Sequence, residues 1–498
     1  MTLAPARAVA LLILAATALR LALAAIVDLG LDEAYAVAVG RHFQLSWFDH
    51  PPLVFWTVGA LSALFGPDVP GLVLRLPFIA LSAATTWLLF RLTERHFGAR
   101  AGLWAALLFT LAPFFFLSAG SWIVPDGPLV FFLVVSALAL TGIVLDETGA
   151  ANWRDWLIAG AALGLGLLSK YHAALFLLGA VACFALVPRL RVWFVRPQPY
   201  VAVLLAAVLF LPVLVWNAQN GWASFAFQLG RGQPVGGSTP ELVLRLFATE
   251  AAYLLPTTAA LLIAAIVWAV LQRPLARVSV VFFFSLALPL IVVLDLPRFW
   301  TWQSYAHWAM PGWMFLLPLV GAMLTRWQER WRAAGLVVGV VSALQFVAVI
   351  GAVVLLLSSL RLRDPGMDSF RIEAGSWTGV AAGIEEVGGV EPGTFLLARR
   401  WSDASRIAEA MRPDVPVLVF YEDARGFAWM ANQADLVGRD ALIVSHAGET
   451  AGLLQLWAAY FERFEPVGSY PMEPGNANRV DVTRGVGLTQ PYPLPYGR

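Results

Sequence analysis

Apolar windows long enough to cross a bilayer recur along most of this chain, and that recurrence restricts it to a polytopic helical membrane protein. A helical span needs roughly 20 apolar residues. Windows of this kind cover residues 8–27, 72–90, 101–117, 128–145, 156–168, 173–187, 201–216, 252–271, 278–294, 309–324 and 334–359, which amounts to about eleven expected spans. Composition agrees. Of 498 residues, 59% are hydrophobic and 13% charged, with a mean hydropathy of +0.73, far from the balance of a soluble globular chain. The two windows flanking Ser169-Lys170-Tyr171-His172 are short and predict a hairpin that only just reaches the far face.

Charge placement sets an expected orientation. Basic loops hold Arg91, Arg95 and Arg100, then Arg189, Arg191 and Arg196, then Arg273 and Arg277, then Arg326, Arg330 and Arg332, and they alternate with less basic ones. The positive-inside rule puts those loops in the cytoplasm. With the N-terminus inside and an odd number of spans, the loop after the first span and everything beyond Arg361 lie outside. The loops at Asp126, 217–250 and 295–308 lie there too, so the polar segments converge on one face. Arg7 and the Ala22-Leu23-Ala24 run would also suit a cleavable signal peptide, but the spans that follow favour an uncleaved first helix. Residues 51–65 are apolar but short. They begin with a Pro pair and stop at Gly66-Pro67, and so read as an interfacial helix.

Two domains are expected: a membrane domain over 1–360, whose first outer loop spans about 28–70, and a soluble α/β domain over 361–498. In the second, strands are predicted at 394–398, 415–421 and 441–445 and helices at 405–411 and 451–461, followed by an irregular Pro/Tyr/Gly tail. A net charge of +1 gives no electrostatic reason to expect nucleic acid as a partner. The single cysteine, Cys183, lies in an apolar run and excludes both an internal disulfide and a thiolate metal cluster.

Charged residues kept beside a membrane usually mark a site. Asp32 and Glu33 follow the first span and open a short amphipathic helix. Their plainer role is to stabilise that helix through its dipole. In the chemical reading one is a general base for an acceptor hydroxyl, while the other orients it or holds a cation. Asp49 and His50 precede the rigid Pro51-Pro52 pair, and Asp126 lies between Pro125 and Gly127; for both aspartates N-capping is the competing role. His50 could meet a phosphate as a cation or a metal as neutral imidazole. Lys170 is the only lysine among 33 basic residues. It either snorkels to the surface or anchors a lipid-linked phosphate, with Arg75, His172 and Arg298 as further candidates for that anchor. A divalent cation is left open, with Asp32, Asp49 and His50 as its ligands if one binds. The outer loops mix aromatics with amides. Trp216, Asn217, Gln219, Asn220, Trp222 and Gln228 lie in one, and Trp300, Trp302, Gln303, Tyr305, His307 and Trp308 in another. Such residues serve as interfacial anchors or stack on sugars. Walker, Rossmann and zinc-protease spacings are missing from the sequence.

Taken jointly, Asp32-Glu33-Ala34-Tyr35, Phe48-Asp49-His50-Pro51-Pro52, Arg75-Leu76-Pro77, Asp126-Gly127-Pro128 and Lys170-Tyr171-His172 resemble the motifs of bacterial family-39-type membrane glycosyltransferases. These GT-C enzymes are similar to protein O-mannosyltransferases and the lipid A aminoarabinose transferase, and the resemblance covers about residues 8–320. It implies inverting transfer of a sugar from a polyprenyl-phosphate donor to a lipid, glycan or protein hydroxyl on the outer face of the bacterial inner membrane. The family's catalytic aspartate maps onto Asp32, and positive charge beside the leaving phosphate would come from Lys170, His50 and Arg75. The aminoarabinose branch has Lys in place of His50 and an Arg soon after the acidic pair, where this chain has Ala34-Tyr35, so that branch's sugar and acceptor are not carried over. A transporter or flippase of a lipid-linked sugar is the competing class. No inverted repeat in the hydropathy supports it.

Overall fold

The computed structural model describes residues 4–148, 153–231, 238–271, 277–301, 304–361, 376–411, 415–473 and 478–494. Arg273, Trp302, Gln303 and the start of the expected outer domain around 366 lie outside them. The first helix, α1 (Pro5–Ile26), leads into two short helices, α2 (Leu31–Gly40) and α3 (Leu53–Phe65). Next come α4 (Gly71–Phe97), α5 (Ala99–Leu111), the single turn α6 (Ala119–Ser121), α7 (Asp126–Val144), α8 (Trp153–Ser169) and α9 (Ala173–Leu186). The membrane part continues through α10 (Pro197–Gln219), α11 (Ala223–Gly230), α12 (Pro240–Leu254), α13 (Pro256–Leu271), α14 (Val278–Asp295), α15 (Met310–Arg330) and α16 (Ala334–Arg361).

Each of the eleven apolar windows carries a helix, but fewer meet the length and hydropathy of a span. Among the described residues six helices do, and nine if each of three bent pairs makes one crossing. Proline explains the breaks, because it removes a backbone donor and clashes with the preceding turn. Pro113 follows α5, Pro188 follows α9, and Pro256 separates α12 from α13 at a bend of 104°. The other two windows fold as α8, of 17 residues, and α15, whose last turn is polar. Helix α15 is buried nearly all round from Met310 to Leu324 and packs with α5, α7, α9 and α14 in the main apolar core. Its closest approach is to α5, where Gly321 lies against the Ala101 carbonyl with no room for a Cβ. Small residues let membrane helices approach this closely.

A break in a membrane helix frees carbonyls that need donors. After Pro113 the chain makes a π-helical turn, Phe114–Ser118. Arg20, buried within α1, donates to the Phe116 carbonyl at 3.0 Å and the Phe115 carbonyl at 3.3 Å. One guanidinium thus holds the first helix to the turn that leads toward Asp126.

The C-terminal residues form α17 (Thr378–Glu386), β1 (Phe395–Ala398), α18 (Trp401–Met411), β2 (Val417–Val419), β3 (Ala441–His446), α19 (Thr450–Leu456), β4 (Phe461–Pro471) and β5 (Arg479–Leu488). The sheet order is β2-β1-β3-β5-β4, parallel among the first three strands and antiparallel at β5 and β4. The three expected strands and both helices are present, the second helix ending at Leu456. The long β4–β5 hairpin was not expected. Its edge strand β4 is mostly exposed, carries Glu462, Arg463 and Glu465, and is interrupted by a register shift between Pro466 and Gly468, so no clean alternation marks it.

This sheet domain is not a separate body beyond the membrane helices. Tyr35, Val39, Phe55 and Val58 of α2 and α3 share one apolar core with Trp377, Leu396, Ile407, Val419 and Phe427. Arg406 of α18 donates to the Leu29 carbonyl at 2.8 Å. Helices α2 and α3 touch backbone to backbone: a Cβ at Gly59 would stand 2.6 Å from the Gly40 carbonyl oxygen. Gly59→Leu should therefore lower stability by about 1–3 kcal/mol through overpacking. Thermal unfolding of the detergent-purified protein reads this, with Ala60→Leu, on the exposed side of the same helix, expected to change it little.

Candidate active site

Glu33 occupies the first turn of α2 and is almost completely buried. Its carboxylate accepts four hydrogen bonds: from Gly30 N at 2.8 Å, Arg75 Nε at 2.8 Å, Arg75 Nη2 at 2.5 Å and Ile123 N at 3.1 Å. The Arg75 guanidinium is equally engaged. Beyond Glu33 it donates to the carbonyls of Ala24 (3.1 Å), Val27 (2.7 Å) and Asp28 (2.9 Å). Together the pair ties the end of α1, the start of α2, the body of α4 and the segment before α7. Neither lines the cavity described next, and Arg75 has no nitrogen left for a phosphate.

Successive residues on a helix point about 100° apart, so the neighbour of a buried anchor faces elsewhere. Asp32 faces a cavity of about 600 Å³ that it lines with Asp49, His50, Asp126 and Lys170. Five of the residues singled out in the sequence thus meet in one place. Lys170 Nζ, at the end of α8, is 2.9 Å from Asp126 Oδ1, and both side chains are buried. The ion pair gives the chain's single lysine a counter-charge where it is buried. Asp49 Oδ1 accepts from the Tyr35 hydroxyl at 2.8 Å, and that hydroxyl accepts from Gly426 N at 3.0 Å.

Asp32 is exposed to the cavity, yet the protein enclosing that cavity raises its pKa by desolvation; the charges of Arg425 and Lys170 act against that rise, and Asp126 and Glu33 add to it. Asp49 is raised too, again chiefly by burial. His50 is pushed well below the usual imidazole range by burial and then by Lys170, Arg231 and Arg425. That direction favours the neutral imidazole over the phosphate cation, the two states the sequence left open for this residue. His172 and Arg298 do not line the cavity. The His172 ring stands 5.8 Å from the Trp308 ring, and its Nδ1 is buried. Arg298 binds Glu250, Asp295 Oδ1 (2.8 Å), Thr249 and the Leu246 carbonyl, joining α12 to α14. Its nitrogens are engaged where the bent pair needs them. Among the described residues, no group of three or more His, Cys, Asp and Glu is spaced to hold a metal, so Asp32, Asp49 and His50 do not form a ligand set.

The remaining wall was foreseen only in part. Arg231 at the end of α11, Tyr253, Tyr305, His307, Trp308, Trp401 and Arg425 all line the cavity. Arg231 lies over the Trp308 ring at 4.6 Å and near those of Phe227 and Tyr305. The Tyr305–Trp308 stretch belonged to an aromatic loop noticed in the sequence; Trp401 and Arg425 come from the sheet domain, and no local signal marks them. The other aromatic loop packs instead. Trp216 Nε1 donates to Gln44 Oε1 at 3.0 Å, and Asn220 Oδ1 accepts from Trp429 Nε1 at 2.9 Å.

The geometry can be set beside known proteins. A family of dolichyl-phosphate-mannose-protein mannosyltransferases matches residues 49–216. The lipid A galacturonosyltransferase RgtD of Rhizobium johnstonii is 25% identical over 318 residues, 60% of this chain and 60% of that protein's length. ArnT from Cupriavidus metallidurans, solved bound to undecaprenyl phosphate, superposes with a TM-score of 0.68 at 16% identity, covering 97% of this chain and 99% of that one. Its apo structure gives 0.67. The chain therefore has the GT-C fold of ArnT, helical membrane part and C-terminal sheet domain included. The match over residues 49–216 and this fold both resemble the membrane glycosyltransferases that the sequence motifs pointed to.

Removing one partner of a buried ion pair leaves an uncompensated charge, at a cost of about 3–5 kcal/mol. Arg75→Met should therefore lower the melting temperature of the purified protein sharply, and replacing Glu33 by Met in the same chain should restore part of the loss.

Proposed function

We propose that this protein is an inverting glycosyltransferase of the bacterial inner membrane. It moves a sugar from a polyprenyl-phosphate donor to a lipid hydroxyl on the periplasmic face. The basic loops are cytoplasmic in this reading, and the C-terminal domain lies outside. The observation that carries it is the meeting of Asp32 with Lys170 and Arg231 around one cavity between the membrane helices and the sheet domain. RgtD acts on lipid A and the ArnT structure holds undecaprenyl phosphate, which favours a lipid acceptor and a polyprenyl carrier here.

Asp32 takes the proton from the acceptor hydroxyl. The oxygen attacks the anomeric carbon from the face opposite the phosphate, the carbon–oxygen bond to phosphate breaks, and the lipid phosphate leaves with the electron pair. Inversion follows from the single displacement. Phosphate is a good leaving group, so the main demand is positive charge beside it. Lys170 and Arg231 meet that demand, replacing the expected trio of Lys170, His50 and Arg75. Asp126 holds Lys170 at 2.9 Å and fixes its direction. Glu33 sets where Asp32 points without touching the reacting atoms.

A base with a raised pKa accepts a proton more readily than an ordinary aspartate. Asp32 works as the carboxylate, present above its raised pKa and lost as pH falls through it. The acid limb of kcat/KM should thus lie above the roughly 4 of an unperturbed aspartate. Radiolabel transfer from polyprenyl-phosphate sugars in membranes checks both points. Asp32→Asn should bind donor but lose transfer by 100-fold or more, within the range of about 10²–10⁴ expected for removing a general base. Equal transfer by both proteins would remove Asp32 from this role, and donor movement without transfer would indicate a flippase.

A further inference from the structure

Helices α8, α9 and α10 border a cleft that lies apart from the candidate active site. Two close approaches create it. Gly160 of α8 lies against the Ala202 carbonyl of α10, and Gly179 of α9 against the Ser285 carbonyl of α14, each with no room for a Cβ. Small residues let membrane helices meet in this way. Because α10 is drawn to α8 and α9 to α14, a gap is left between α9 and α10. Pro188 then ends α9, and the chain turns by 115° into the 3-10 helix Pro188–Val195, which brings Trp193 and Phe194 to the cleft.

The walls are hydrocarbon and aromatic. Trp156 of α8, Val181 and Phe184 of α9 and Val203 of α10 line them, and the Trp156 ring stands 5.4 Å from that of Phe184 and 5.2 Å from that of Trp193. The one hydroxyl on the wall, Ser136, donates to the Ala159 carbonyl at 3.0 Å. Val181, Phe194 and Val203 are also exposed, so the cleft opens outward from the bundle, where membrane helices meet lipid.

Two polar features accompany these walls. Trp156 Nε1 is buried and makes no hydrogen bond, and a buried donor without a partner costs stability unless a ligand satisfies it. The Arg196 guanidinium lies 4.8 Å from the centre of the Trp193 ring, which orients the cation without neutralising it. Neighbouring charges are directed elsewhere: Arg189 donates to the carbonyls of Val144 and Asp146, Arg191 Nε to that of Ala185, and the Asp155 carboxylate lies against Gly142 of α7.

We propose that the cleft binds an anionic phospholipid of the surrounding membrane. One acyl chain lies between α9 and α10, an ester carbonyl accepts from Trp156 Nε1, and the headgroup phosphate rests on Arg196. Basic pockets between membrane helices bind anionic headgroups in this manner. A polyprenyl chain would suit the same walls but carries no ester for the indole. Trp156 and Lys170 lie at opposite ends of α8, about 20 Å apart at 1.5 Å per residue, so this lipid site is separate from the catalytic cavity and does not depend on the transferase reading.

The test uses the full-length protein, delipidated in detergent and titrated with dioleoyl phosphatidylglycerol or dioleoyl phosphatidylcholine, with bound lipid counted by native mass spectrometry. One phosphatidylglycerol should bind per chain about fivefold tighter than phosphatidylcholine, the scale of one arginine beside an anionic lipid. Arg196→Gln should bring the two lipids to equal affinity. Trp156→Phe should weaken the ester lipid to the level of its ether-linked analogue. Val203→Trp fills the cleft from its exposed rim and should weaken both lipids by tenfold or more, whereas Leu204→Trp, exposed on the same helix outside the cleft, should change neither. Melting temperatures near that of the wild type without lipid establish that the variants fold. Equal affinity of the two lipids in the wild type, or binding that survives Val203→Trp, would overturn the proposal. Displacement of the phospholipid by an equal concentration of farnesyl phosphate would overturn it too, by assigning the cleft to an isoprenoid chain.

Discussion

The buried pair of Glu33 and Arg75 is the constraint on which the rest of the site depends. A carboxylate and a guanidinium removed from water are costly unless every lone pair and proton finds a partner. Here Glu33 accepts from Gly30, Ile123 and Arg75, and Arg75 also donates to three carbonyls at the exit of α1. The carbonyls of Ala24, Val27 and Asp28 come from the segment where the chain leaves its first helix, which cannot satisfy them internally. Satisfying them fixes the angle at which α2 departs. That angle in turn decides where Asp32 points, and the bond to Ile123 brings the approach to Asp126 alongside. Adjacent carboxylates in the sequence thus meet different surroundings because about 100° of helix rotation separates their side chains.

A second dependence runs through Tyr35. Its hydroxyl donates to Asp49 and accepts from Gly426, so one oxygen joins the segment after α2 to the sheet domain. Around it Phe55, Trp401 and Phe427 meet the Tyr35 ring edge-on. The apolar core that α2 and α3 share with the sheet holds this contact closed. The cavity is therefore a joint product of both parts of the molecule, and the docked sheet domain belongs to the site as much as the membrane helices do.

The membrane class, the apolar windows, the short helix after Pro52 and the three parallel strands were all legible in the sequence, because hydropathy and alternation are local properties. The number of crossings was less so. A window average does not register that Pro113, Pro188 and Pro256 turn apolar stretches into bent pairs. The polar constellation was half legible. Asp32, Asp49, His50, Asp126 and Lys170 stood out as charged or titratable groups in apolar surroundings, and they do meet. Arg75 and Arg298 stood out for the same reason, yet their charges are consumed by buried carboxylates and carbonyls. Sequence shows a buried charge but not its partner. Arg231, Trp401 and Arg425 sit in ordinary polar segments, and only the docking of the sheet domain and of α11 makes them neighbours of Asp32.

The origin of the cavity's cations follows from the same physics. A charged residue within a span is expensive unless a counter-charge accompanies it, and Lys170 is held by Asp126 at 2.9 Å. A cation so paired is stable but partly neutralised, and has less field to offer an anionic ligand. A second unpaired cation on the spanning helices would have to be buried without compensation during assembly. Arg231 and Arg425 avoid that. The first sits at the end of the short helix α11 and the second on a turn of the sheet domain. Both reach the cavity stacked on the rings of Trp308 and Trp401, Arg425 with Asp423 Oδ2 at 3.6 Å as well. Their charge stays available because aromatic faces orient a guanidinium without neutralising it.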